Sequence, residues 1–165
     1  MQTLTETPFV PENKPHQFQY RNLVDNSIWS RLVGRIMKDH SLSREASETI
    51  MEGTLGFLKL CADFPERRFA PSKFIDIGWH TFLLYTKSYT SFCMRHAGRF
   101  IHHEPNDNPQ VQEKGGGVRD TISFMENHGI IFDPVLWERN MYAADCKSQC
   151  TVDCRDDCWN CSSDK

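Results

Sequence analysis

Apolar residues recur every three or four positions through most of this chain, and this spacing places them on one face of an α-helix. The clearest stripe lies in residues 22–40 and consists of Ile28, Trp29, Leu32, Val33, Ile36 and Met37. No stretch alternates apolar and polar residues over the length that a substantial sheet needs. No internal repeat with a period of about 20 to 50 residues is present either. The pattern therefore predicts an all-α protein.

Further helices are predicted after this first one. The second follows a capping serine, either Ser41 or Ser43, and ends at Pro65. Its buried face consists of Ala46, Ile50, Leu55, Leu58 and Cys61. A fourth helix is predicted over residues 118–128, and a fifth begins at Asp133-Pro134, where a carboxylate can cap it and proline fits its first position.

The third predicted helix, residues 74–97, is rich in aromatic residues and is expected to be central. Gly98 follows it and can adopt the left-handed conformation common just after a helix. The aromatic residues on one side of this helix are Trp79, Phe82, Tyr89 and Phe92. At about 100° per residue they lie opposite Asp76 and Lys87, so we expect them in the core.

The 165 residues divide into three parts. Residues 1–20 contain three prolines and are predicted to be an extended arm, because proline discourages both helix and sheet. Residues 21–144 are predicted to form a single compact bundle of about five helices, and they are numerous enough to bury a core. Residues 145–165 form a polar, Cys-rich tail.

The charge and hydropathy of the chain argue against two classes of partner. Nineteen basic and 22 acidic residues are scattered along it, so neither nucleic acid nor a membrane surface is predicted to bind. The most apolar stretch, residues 74–85, is too short to cross a bilayer core of about 30 Å. The N-terminus has no signal-peptide pattern, which predicts a cytoplasmic protein. A protein partner and the oligomeric state remain open.

Five of the seven cysteines lie in the tail, namely Cys146, Cys150, Cys154, Cys158 and Cys161. In a reducing compartment such a cluster favours metal binding or redox chemistry over a disulfide framework. Five thiolates exceed the four ligands of a closed zinc site, although zinc sites usually have two close pairs separated by a longer loop. The tail is therefore predicted to bind zinc or another transition metal, with a thiol switch or disulfides as the alternative.

A second candidate site starts from Asp76 and His80, which lie four residues apart and so share one face of a helix. With His102 or His103 they would form a site of two histidines and one carboxylate for iron or zinc. Along a straight helix, however, His80 and Ala97 are about 25 Å apart. The five residues that return to His102 span at most about 17 Å, which predicts a strained site. The alternative is a simple hydrogen-bonded Asp–His pair.

Cys93 and His96 form a third candidate, because they lie one turn apart at the end of the same helix, close in sequence to His102 and His103. Adjacent histidines in an extended segment point to opposite sides, so one of the two is expected to face inward. Cys93 also shares the face of Trp79 and Tyr89, which favours a role in core packing instead.

A family resemblance rests on the segments Asp76, Trp79-His80, Thr86, Tyr89, Phe92-Cys93, Gly98, Phe100, Ile101-His102-His103, Pro105, Val118-Arg119-Asp120-Thr121 and Asp133-Pro134-Val135-Leu136-Trp137. In these segments the chain resembles the glycine-rich domain-containing protein-like family. The resemblance covers most of the chain after Ile28 and implies a helical domain with a Trp-His signature. It implies no particular activity. The tail departs from the family pattern, since it contains Lys147, Arg155 and several aspartates where glycine is expected.

Three functions are compatible with these patterns. The first is a non-enzymatic protein that binds zinc or another soft cation, mainly through the tail thiolates. The second is a metal-dependent enzyme that uses the histidine and carboxylate site. The third is a protein-interaction module with a redox-sensitive tail. None of them assigns a catalytic residue.

Overall fold

The computed structural model describes residues 19–104 and 117–137. Within these ranges all regular secondary structure is helical and there is no β-strand, which confirms the all-α prediction. After a 3-10 turn at Arg21–Leu23, the helices are α1 (Asn26–His40), α2 (Arg44–Asp63), α3 (Lys73–Leu83), α4 (Thr86–Ala97), α5 (Val118–Asn127) and α6 (Pro134–Trp137). Almost all of the predicted arm and the whole Cys-rich tail lie outside the described residues.

Side-chain caps fix where the first helices begin. The Asp25 carboxylate accepts a hydrogen bond from the amide of Ile28 at 2.8 Å and caps α1. Ser43 accepts from the amide of Ala46 at 3.1 Å and caps α2. Ser41 has a different role, because it ends α1 in a left-handed conformation with φ of 53°. The structure therefore selects Ser43 from the two predicted capping serines.

The core forms around α2, which packs against α1, α3 and α4. Its most extensive contact is with α3, where Gly78 faces Thr54. A β-carbon at Gly78 would lie 2.0 Å from Thr54 Oγ1, so the absence of a side chain allows the two helices to approach this closely. Five of the six residues of the predicted α1 stripe are buried, and Met37 packs against the core at its edge.

The prediction of a single helix over residues 74–97 is wrong. This segment forms two helices, α3 and α4, separated at Leu84 and Tyr85, and Tyr85 has a non-helical ψ of 60°. The break allows aromatic rings of the two helices to bury one another. The ring of Phe82 in α3 packs against those of Tyr89 and Phe92 in α4 at 5.2 and 5.4 Å. In a straight helix, Phe82 and Phe92 would lie about 15 Å apart along the axis and could not pack against each other.

The four aromatic residues predicted in the core are confirmed there, since Trp79, Phe82, Tyr89 and Phe92 are all at most 5% exposed. The expectation that Asp76 lies on the opposite, outer side is wrong. Asp76 is 8% exposed, because the chain that follows α4 returns across α3 and covers it. Lys87 is exposed as expected.

Among the described residues, no helix is long and apolar enough to cross a membrane. The cytoplasmic location stays a prediction.

Candidate metal centre

Asp76 and His80 lie one turn apart on α3, as their spacing predicts. The Asp76 Oδ2 and His80 Nδ1 atoms are 3.0 Å apart. Their environments differ sharply, because the Asp76 side chain is 11% exposed and the His80 side chain is 61% exposed. The pair therefore lies at the edge of the core, with the carboxylate inside and one imidazole facing solvent.

His103 completes the group from a different part of the chain. Its Nε2 atom is 2.6 Å from Asp76 Oδ1, and its side chain is 12% exposed. The rings of His80 and His103 lie 4.4 Å apart. Each ring has a nitrogen within 3.0 Å of an oxygen of the Asp76 carboxylate. His102 is exposed and packs against Phe100 instead. The prediction that one of the adjacent histidines faces inward is confirmed, and that residue is His103.

The sharp turn between α3 and α4 brings His103 to this position. α4 ends at Gly98, whose φ of 66° turns the chain, and the residues from Arg99 to Glu104 then run back past α3. The prediction of a strained site assumed one straight helix from His80 to Ala97. Because the helix breaks at Leu84 and Tyr85, His103 reaches Asp76 and His80 without that strain.

Trp79 and Tyr89 form the inner wall beneath the site. The Trp79 ring lies 4.3 Å from the His103 ring, and its Nε1 donates a hydrogen bond of 2.8 Å to the Tyr89 hydroxyl. That hydroxyl donates in turn to the Ile101 carbonyl at 2.6 Å. Burial raises the pKa of Tyr89 above its usual value, so its hydroxyl stays neutral and keeps its donor proton.

Asp76, His80 and His103 each offer one ligand atom, and these atoms all lie within 4.8 Å of one another. Zinc bonds to nitrogen and oxygen are about 2.1 Å long, so two ligands of a tetrahedral ion would be about 3.4 Å apart. The Asp76 and His80 atoms, now at a hydrogen-bond distance of 3.0 Å, would have to separate slightly to share an ion. The three residues could therefore hold a metal ion after small movements.

The structure does not bring the other histidine and cysteine candidates together. Cys93 is fully buried in the core, which agrees with the packing role weighed for it. His96 lies elsewhere, with its Nε2 3.2 Å from the Leu23 carbonyl. In the part of the chain that the structure describes, no group of metal-ligating side chains includes either residue or His102.

The five tail cysteines, Cys146, Cys150, Cys154, Cys158 and Cys161, lie outside the described residues. Metal binding by the tail therefore stays a prediction.

Sequence reasoning placed Tyr89 in the core but did not assign a function to its hydroxyl. The available signal was the residue type itself. A buried position that needs only an apolar ring can hold phenylalanine, whereas a buried tyrosine hydroxyl needs a hydrogen-bond partner. The partner here is a main-chain carbonyl twelve residues away, and no periodicity points to it.

A family model described as UCP032817-like matches residues 19–128. The matched range contains α1 to α5 and all three residues of the candidate centre. No curated protein and no solved structure matches the chain.

Proposed function

We propose that this chain, which belongs to the UCP032817-like family, binds a divalent transition-metal ion through Asp76, His80 and His103. The observation that carries the proposal is the convergence of two imidazoles on one largely buried carboxylate, from two separate segments. The likeness to the glycine-rich domain-containing protein-like family remains a proposal as well, and it supplies no activity.

The ligand types indicate which ions would fit. Imidazole nitrogen suits zinc, iron, copper and nickel, whereas calcium and magnesium prefer oxygen ligands alone. Two histidines and one carboxylate serve catalytic zinc as well as non-haem iron. The site thus favours a first-row transition metal, and protein purified with its metal retained would identify which one.

A metal-dependent enzyme is the second candidate, and the exposure of His80 favours it. Three protein ligands leave at least one coordination position of the ion open, which is typical of catalytic sites and not of structural ones. The His80 side chain is 61% exposed, so water could reach an ion held by these three residues. A metal ion there would act as a Lewis acid on a bound water or carbonyl group.

Replacing His103 with alanine is expected to lower the affinity for Zn²⁺ or Co²⁺ by about 100-fold or more. A lost ligand should cost at least as much as a lost supporting contact, whose removal costs about 10- to 100-fold. The matched control is His102→Ala, because His102 is the adjacent histidine and lies outside the group. Isothermal titration of the metal-free full chain gives both affinities, and circular dichroism checks the helical content.

The tail must be separated from this site, since its five cysteines are predicted ligands too. The titrations are therefore repeated in a full chain with all five tail cysteines replaced by serine. Binding that survives this change and depends on His103 supports the proposed centre. Binding lost with the cysteines, and equal in the two histidine variants, would assign the metal to the tail and leave Asp76 in a purely structural hydrogen-bonded group.

A further inference from the structure

The Tyr89 hydroxyl connects the two segments that supply the candidate ligands. It accepts a hydrogen bond from Trp79, which precedes His80 on α3, and donates one to the carbonyl of Ile101, two residues before His103. Tyr89 is fully buried, and Ile101 is 4% exposed. The connection is therefore shielded from water, where competing hydrogen bonds would weaken it.

Among the described residues, few other polar contacts restrain the segment that carries His103. In the described ranges, no main-chain to main-chain hydrogen bond outside a helix involves residues 99–104. Arg99 donates to the Cys61 carbonyl at 2.9 Å and fixes the start of the segment. Beyond that point, the described residues contact the segment through the packing of Phe100 and Ile101, the hydrogen bond from the Tyr89 hydroxyl, and the contacts of His103 with Asp76 and Trp79.

We propose that Tyr89 is a positioning residue for the metal centre, whose hydroxyl fixes the main chain at Ile101 and so holds His103 within reach of Asp76 and His80. This inference rests on the proposed function. The physical reason is that a bond to a carbonyl two residues away limits how far the His103 backbone can move. Without it, part of the metal-binding free energy would be used to order the segment.

Tyr89→Phe removes the hydroxyl and keeps the ring, which packs against Phe82 and Phe100 at 5.2 Å each. The matched control is Tyr85→Phe. The Tyr85 hydroxyl lies 3.5 Å from the Arg31 carbonyl and also interacts with the Arg35 side chain, so its partners are on α1 and do not belong to the centre. Both variants are made in the full chain with the tail cysteines replaced by serine, and Zn²⁺ and Co²⁺ are titrated at a temperature where each variant is fully folded.

Tyr89→Phe is expected to weaken metal binding by about 10- to 100-fold, the usual effect of losing a supporting contact, whereas Tyr85→Phe leaves it unchanged. A purely stabilising hydroxyl would lower the melting temperature without changing the affinity of the folded protein. The ¹⁵N imidazole signals of the metal-free protein give a second readout. They should show that His103 is displaced from Asp76 in Tyr89→Phe alone.

The outcomes are distinguishable. If the parent chain binds metal and Tyr89→Phe binds it equally well, the positioning role is wrong and the metal centre stands. If the parent chain binds no metal, both proposals fail. If Tyr89→Phe does not fold under ordinary conditions, it is titrated in sucrose, which favours the folded state, beside the parent chain in the same solution. The same loss of affinity is then expected, and unchanged affinity would overturn the inference.

Discussion

Replacing Trp79 with alanine is expected to lower the free energy of unfolding by about 3 to 5 kcal/mol, the usual cost of removing a buried tryptophan. The ring is 5% exposed and lies against Phe57 at 5.4 Å and against His103 at 4.3 Å. Its loss would leave a cavity and would also remove the donor to the Tyr89 hydroxyl. Urea denaturation of the metal-free chain, followed by far-ultraviolet circular dichroism, measures the change.

Lys87→Ala is the control for that measurement, because Lys87 is an exposed residue of α4 outside the candidate centre. Its effect on stability should stay within about 0.5 kcal/mol, as for most surface substitutions. A loss below about 1 kcal/mol for Trp79→Ala would be too small for a fully buried indole. That result would contradict the packing of α3 described above.

Gly78→Ala is expected to destabilise the protein by about 1 to 3 kcal/mol, although alanine is the better helix former. The new methyl group would lie 2.0 Å from Thr54 Oγ1 and 2.9 Å from its Cβ. Thr54 is fully buried, and its hydroxyl is bonded to the Ile50 carbonyl at 2.8 Å, so it has little freedom to move away. The helices α2 and α3 must therefore separate.

The same substitution at Gly34 is the matched control. Gly34 lies on α1, and a β-carbon there would meet nothing within 4 Å. Gly34→Ala is therefore expected to be neutral or to stabilise the protein by up to about 1 kcal/mol. Thermal melts of the two variants compare them directly. Equal melting temperatures would show that α2 and α3 are not packed as closely as Gly78 and Thr54 indicate.

The helical class and the faces of the helices could be predicted from the sequence, because both depend on local spacing. The buried residues of α1 follow a repeat of three and four, and Asp76 and His80 share a face for the same reason. The helix-end signals at Ser43 and Gly98 are equally local. None of these features requires knowledge of a distant segment.

The break between α3 and α4 could not be predicted from the sequence. Leu84 and Tyr85 occupy the break, and neither proline nor glycine marks it. Local propensity there is compatible with one continuous helix. The chain turns because Phe82, Tyr89 and Phe92 bury one another against α2 only when the two halves fold back.

The candidate site therefore depends on both local sequence spacing and tertiary packing. The sequence by itself determined the pair of Asp76 and His80, since residues four positions apart on a helix lie about one turn apart on the same face. The tertiary structure alone decided that His103, and not His102, joins them, and that Asp76 is buried under the returning chain. His103 reaches Asp76 because the chain turns at Leu84 and Tyr85 and because a buried hydrogen bond joins Tyr89 to Ile101. Both arise from packing between segments that local sequence patterns do not relate.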